Sequence, residues 1–263
     1  MFLMKLIFAV LSLLCINASA TCRISPIKIA VIDTGFGYHG EGQAPGQEPK
    51  LCKYGHKDFS IDGQSTRPSY IEQDHDPRFM YPTDTNGHGT NIVGIIDSYM
   101  KKSKVNYCIV ILKYYSDAQS GMQNLDATIK AIQYATNIGV DYINYSGGGP
   151  TFSNDEYLAL KKAEDKKIKV VVAAGNDNSD IGIPGNEYYP ASYDLPDTII
   201  VGNKREDGVR SESSNYGTKV NRWEVGENVT AYEITMTGTS QATAIATGKL
   251  ASENHSKCDI GHQ

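Results

Sequence analysis

Ile27-Lys28-Ile29-Ala30-Val31-Ile32 is a short apolar run that stops at Asp33-Thr34-Gly35. A run of this length, closed by a turn-forming Gly, reads as a buried strand. Residues 105–114, 140–145, 168–174 and 198–201 repeat the pattern downstream. Helical segments lie between and around them. Residues 122–137 space Leu125, Ile129 and Ile132 at helical intervals, with Gly139 as the stop. Residues 86–100 and 155–167 have helical character, and a last helix is expected from just after Gly238 to about Glu253. Residues 35–78, rich in Gly, Pro, Gln and Asp, read as surface loops. Near-continuous apolar strands alternating with helices predict an α/β fold: one domain with a doubly wound, mostly parallel sheet flanked by helices on both faces. Ligands of such sheets bind beyond the carboxyl ends of the strands. Asp33, the turn from Ser146 to Gly149, and Asn176 all follow strands in this way.

The chain has 263 residues, 40% of them hydrophobic and 21% charged. That is ample for a core and excludes disordered, collagen-like and coiled-coil classes. A net charge of −5 argues against a partner bound through its phosphates, so no nucleic acid is expected. The short basic run Lys101-Lys102-Ser103-Lys104 reads as the solvated end of a helix. At the amino terminus, Lys5, the apolar residues 6–14 and Ala18-Ser19-Ala20 form the pattern of a signal peptide. The expectation is a signal peptide over 1–20, a domain over 21–263, and a secreted or periplasmic protein. The apolar stretch is too short to span a bilayer, so no stable membrane association is expected. Removal of Cys15 leaves Cys22, Cys52, Cys108 and Cys258. An even number in an exported chain predicts two disulfides, and all three connectivities stay open.

Three further segments could carry chemistry. Asp33 places a carboxylate at a strand end beside Gly35. Asn86-Gly87-His88-Gly89-Thr90 sets an accessible imidazole at a helix start. Thr237-Gly238-Thr239-Ser240-Gln241-Ala242-Thr243-Ala244 puts a hydroxyl where a helix begins, and developing negative charge is favoured there. Taken singly, the first and third read more readily as turn or cap residues, and the second is about even between a capping loop and chemistry. Together they stand in the chain order Asp33, His88, Ser240, which is the order of subtilisin.

The sequence here resembles the subtilisin-like serine endopeptidases. The likeness rests on D-T-G at Asp33, H-G-T at His88, G-T-S at Ser240 with Gly248 beyond, and on two segments between them, Ile143 through Pro150 and Val172-Ala173-Ala174-Gly175-Asn176. It implies a subtilisin-like fold and hydrolysis of polypeptide substrates through an acyl-enzyme on Ser240. His88 would act as general base and Asp33 as its orienting partner. Asn176 would be the oxyanion-hole residue. Ser146, Gly147, Gly148, Ala173, Ala174 and Gly175 would line the substrate cleft, with room for a sizeable apolar side chain before the scissile bond. The glycine-rich edge from Ser146 to Gly148 could take an extended peptide by strand addition, and a looser match places a second edge near Ser120-Gly121-Met122. The rival reading is a catalytically silent peptide-binding protein of the same fold.

The sequence also departs from the family pattern. Asn91 replaces a His, Ala244 replaces a Pro, and Gly147 replaces a bulkier apolar residue. The short stretch between Ala20 and Asp33 implies a compact member without a folded prosegment, and a monomer is expected. No cofactor is required. Calcium is common in the family, but Asp74-His75-Asp76 and Asp177-Asn178-Ser179-Asp180 form no clear calcium motif, so no metal ligand is assigned.

Overall fold

The sheet is built outward from the run of residues that opened the sequence. The structure, a computed structural model, describes residues 25–37, 48–60, 81–103 and 105–253. Strand β1, Ile27–Asp33, lies between β3, Tyr107–Lys113, and β4, Tyr142–Tyr145, and pairs with both in parallel. β5, Lys169–Ala173, β6, Ile199–Lys204, and β7, Arg222–Val225, extend one side, and the short β2, Lys57–Asp58, closes the other. The order is β2-β3-β1-β4-β5-β6-β7, and every pairing is parallel. The fold is therefore α/β, with a parallel sheet flanked by helices, as expected from the strand pattern.

Helices cover both faces because consecutive strand residues point to opposite sides. Ile29 and Val31 pack with Ile92, Ile96 and Met100 of α1, His88–Ser103, and with Ala244 and Ile245 of α4, Thr239–Glu253. Ala30 and Ile32 face the other way, onto Ala131 and Ile132 of α2, Gly121–Ile138, and Leu160 of α3, Asn154–Asp165. Each helix end has a local cause. Ser120 and Gln123 form a capping box at the start of α2, and Gly139 closes it in the left-handed conformation. Gly121 and Met122 therefore lie in the first turn of a helix, and Ser120, its cap, is the extended residue of the three. Helix α3 ends two residues earlier than its sequence pattern, with Lys167 at positive φ.

Three strands had no expectation attached to them. β7 reads Arg-Trp-Glu-Val, and its polar residues are held by ion pairs of Glu224 with Arg222 and Lys249, at 2.8 and 2.6 Å. β8, Val229–Ala231, and β9, Ile234–Met236, form a hairpin whose turn residues Tyr232 and Glu233 both have positive φ. Hairpin turns of that kind normally announce themselves with Asn or Gly, so this one carries no sequence signal. Asn91 binds the hairpin to the body: its amide donates to Val229 O and Ile234 O, and its carbonyl accepts from Gln241 Nε2.

Cys52 and Cys108 form a disulfide that joins the loop before β2 to β3 across 56 residues of chain. Closing a loop of this length is worth about 4 kcal/mol in the chain-entropy model. Of the three connectivities, this pairing leaves Cys22 and Cys258, which lie outside the described residues with the signal-peptide segment and Asp74-His75-Asp76. Among the described residues, no helix is long and apolar enough to cross a membrane.

Candidate active site

The carboxyl ends of β1, β4 and β5 lie level, because Ile32 pairs with Tyr145 and Tyr145 with Val172. The next residue of each strand or turn, Asp33, Ser146 and Ala173, thus stands at one edge of the sheet. Strand order reverses about β1, and that is where open α/β sheets form their binding crevice.

Asp33 is buried. Its Oδ1 accepts from Thr34 N at 2.8 Å and faces His88 Nδ1 at 2.7 Å. Its Oδ2 is buried with no hydrogen-bond partner among the described residues. An ionised carboxylate only accepts, so Nδ1 of His88 carries the proton and Nε2 of the neutral ring is left as the acceptor.

Two glycines allow this approach. A Cβ on Gly89 would fall on the Gly35 carbonyl, and one on Gly35, at φ +111°, would lie 2.7 Å from Thr83 O. Thr34 Oγ1 bridges the two motifs, accepting from Gly89 N and donating to Asp84 Oδ1. Asp84 was not apparent in the sequence. Its carboxylate accepts from the N–H groups of Asn86, Gly87 and Thr90 and from the Thr90 hydroxyl, and so shapes the entry to α1. Burial pushes the Asp84 carboxyl up, but these four donors together pull it below the usual range.

Burial pushes the His88 imidazole down, and the charge and hydrogen bond of Asp33, aided by the charge of Asp84, more than offset it. The net shift is upward from 6.5. A base must be neutral to act. Its effectiveness should therefore rise with pH through a midpoint above 6.5, while the imidazolium–Asp33 contribution to stability is complete below 6.5 and is lost as pH rises through that midpoint. In Asp84→Asn, with one negative charge removed, the pH profile of kcat/KM should move to lower pH. An unmoved profile would exclude Asp84 as a positioning residue.

Ser240 occupies the first turn of α4, with its hydroxyl nearly enclosed. Its Oγ donates to Ser146 O at 3.0 Å rather than to the imidazole. Ser146 Oγ in turn donates to Ser240 O and accepts from Asn144 Nδ2, and Thr247 Oγ1 donates to Asn144 Oδ1. Asn176 presents an exposed side chain whose Oδ1 accepts from Thr239 N and Thr239 Oγ1 at 3.0 and 3.1 Å. With the oxygen engaged by both donors, the amide NH₂ is the group this side chain has left to donate. Thr239 Oγ1 also accepts from Gly175 N, so one threonine fixes the Asn176 turn to the start of α4. Its role, like that of Asp84, depends on contacts between distant segments.

Among the described residues, the peptide groups of Gly147 and Gly148 make no internal backbone hydrogen bond, whereas Gly149 pairs with Tyr189 in both directions. The space expected beside these glycines is occupied. A Cβ on Gly148 would lie 2.6 Å from the Tyr188 ring, and one on Gly175 would lie 2.9 Å from it. The room for a sizeable apolar side chain is thus taken by an aromatic ring of the chain itself. Gly147 likewise makes way for Tyr114 and Tyr145. Asp177 and Asp180 are engaged internally, with Asn215 Nδ2 and with Gly182 N. Among the described residues, no three His, Cys, Asp or Glu side chains converge as a metal site requires.

Comparison with known proteins bears on this arrangement. The family model described as "Subtilase family" matches residues 25–255. The chain belongs to the subtilase family. Subtilases are serine-type endopeptidases that mostly need no cofactor. Subtilisin DY of Bacillus licheniformis is 29% identical over 86% of this chain and 75% of its own length. An intracellular serine protease of Paenibacillus polymyxa is 30% identical over 86% of this chain and 65% of its own length. Among solved structures, a cold-adapted subtilisin-like serine proteinase superposes with a TM-score of 0.65, at 26% identity, covering 88% of this chain and 77% of that one.

Proposed function

We propose that this subtilase hydrolyses polypeptides through an acyl-enzyme on Ser240, with His88 as general base and acid and Asp33 as its orienting group. The observation that carries the reading is the 2.7 Å Asp33–His88 contact on the first turn of α1, formed by two motifs 55 residues apart. In this reading the Ser240 hydroxyl leaves Ser146 O and donates to Nε2 when substrate is bound. The oxyanion would be received by the Asn176 amide and the Ser240 N–H, which has no intrahelical acceptor in the first turn. The substrate backbone would pair with Gly147 and Gly148, and Ser146 and Ala173 to Gly175 would frame the residue before the cut. Release outside the cell rests on the Ala18-Ser19-Ala20 pattern.

A second reading, a peptide-binding protein without turnover, draws on the Ser240–Ser146 hydrogen bond, which holds the hydroxyl off the base. A fluorophosphonate probe separates the two: stoichiometric labelling mapped to Ser240 is expected, and an unlabelled, folded protein would favour the silent binder.

The Tyr188 ring sets a further expectation. With its ring in the pocket, small side chains before the scissile bond should be preferred over large ones. Tyr188→Gly should raise kcat/KM for a Phe-containing peptide relative to its Ala counterpart by about tenfold, the scale of a few buried methylenes. An unchanged ratio would show that the ring does not limit that position.

A further inference from the structure

Beyond Gly148, the cleft opens into a cavity of about 270 Å³ between α2, α3 and the Gly149–Tyr189 pairing. Its walls include Tyr114, Met122, Leu125 and Tyr189, and Glu156 lines it as well. The volume falls just below the ~300 Å³ at which pockets begin to hold whole small ligands. It suits one side chain.

Glu156 is 1% exposed, and its Oε1 has no hydrogen-bond partner among the described residues. Its position three residues after the Ser153 cap would ordinarily turn the carboxylate back onto the Ser153 N–H. Tyr193 takes over that duty, since its hydroxyl accepts from Ser153 N at 3.1 Å. The same hydroxyl lies 2.9 Å from both Ser153 O and Glu156 Oε2. A phenol has one proton, so Tyr193 gives the carboxylate at most one hydrogen bond, and the Tyr145 hydroxyl, the other donor near it, is not within hydrogen-bond distance of Oε1. Among the described residues lining the cavity, Glu156 is the only one with an acidic or basic side chain of the carboxyl, amine, guanidine or imidazole kind. When ionised, a buried carboxylate with an unpaired oxygen facing an aromatic-walled cavity is stabilised by a cation placed in that cavity.

We infer that Glu156 makes this cavity a specificity pocket for a lysine or arginine side chain of the peptide, upstream of the bond cut. The inference rests on the proposed peptide-binding cleft. Gly148 lies two residues beyond Ser146, whose carbonyl holds the Ser240 hydroxyl, which puts the cavity within a few residues of a bound backbone. The stem of the basic residue would lie along Leu125 and Met122, and its charged end would meet Glu156 Oε1.

Burial pushes the Glu156 carboxyl up to about 7, against the pull of the Tyr193 and Tyr145 hydroxyls. The other titratable groups around it are tyrosines, Tyr115 and Tyr189 of the cavity wall and Tyr114, Tyr145, Tyr188 and Tyr193, the last four pushed above the ordinary phenol value by burial first. Only Glu156 among them changes charge between pH 5.5 and 8. Selectivity for a basic side chain should therefore be full at the upper pH and fade at the lower one.

The test uses Ser240→Ala protein and fluorescent peptides identical except for Lys, Arg or norleucine at each of the four positions before the scissile bond. Binding is measured at pH 8 and pH 5.5, with the norleucine peptide cancelling whatever His88 contributes. At one position, the Lys and Arg peptides should bind at least about tenfold tighter than norleucine at pH 8 and approach parity at pH 5.5. Glu156→Gln in the same background should remove the difference at both pH values while the norleucine peptide still binds. Equal binding of the basic and norleucine peptides at every position, or a preference that survives Glu156→Gln unchanged, overturns the inference. Because binding needs no turnover, failure of fluorophosphonate labelling would sink the peptidase mechanism and leave this result to be judged separately.

Discussion

Ser240→Ala should abolish peptide hydrolysis while leaving the thermal transition near that of the parent protein. The hydroxyl makes one hydrogen bond, to Ser146 O, and both residues are buried. Its loss costs about 1–3 kcal/mol, small against the stability of a domain. The loss of activity is different in kind, because the other hydroxyl at the start of α4, Thr239 Oγ1, is tied to Asn176 Oδ1 and Gly175 N. In subtilisin, where the effect is established, removal of the nucleophile alone lowers kcat by about 10⁶-fold, and that size is adopted here. Stopped assays with a peptide ester and a peptide amide would measure it. Residual activity within a hundredfold of the parent would show that Ser240 is not the nucleophile.

Asp33→Asn should lower kcat by about 10⁴-fold with little change in KM, the loss seen when the same exchange is made in a Ser-His-Asp protease of another fold. The reason lies in proton placement. The Asp33 carboxylate accepts from Nδ1 and thereby leaves Nε2 as the acceptor that the proposed mechanism requires. An asparagine amide can donate to Nδ1, which moves the ring proton to Nε2 and removes the acceptor. The substitution also withdraws the charge that, with Asp84, outweighs burial at His88, so the imidazole pKa should fall. An NMR titration of His88 would read that change directly. A variant with full activity, or with an unshifted His88, would break the link between the two residues.

Parts of this site were legible before any coordinates. The apolar run that ends at Asp33 and the small-residue helix after Gly238 have strong local causes, and both lie where their patterns put them. The hairpin with Tyr232 and Glu233 at its turn was invisible because its residues are stabilised by what they touch. Tyr232 packs on Gly94, and Asn91 holds the flanking strands. The pocket beside Gly148 and Gly175 was misread for the same reason: glycines report space on their own chain and say nothing of a ring arriving from residue 188.

Strand periodicity, turn chemistry and the order of three short motifs determined the layered α/β architecture and named Asp33, His88 and Ser240, since each depends on residues adjacent in the chain. The tertiary structure alone decided the Cys52–Cys108 pairing, the resting partner of Ser240, the bracing by Asp84 and Thr239, and the lone carboxylate of Glu156. Those features arise where segments far apart in the chain close on one another, and burial and hydrogen-bond satisfaction are properties of that closure.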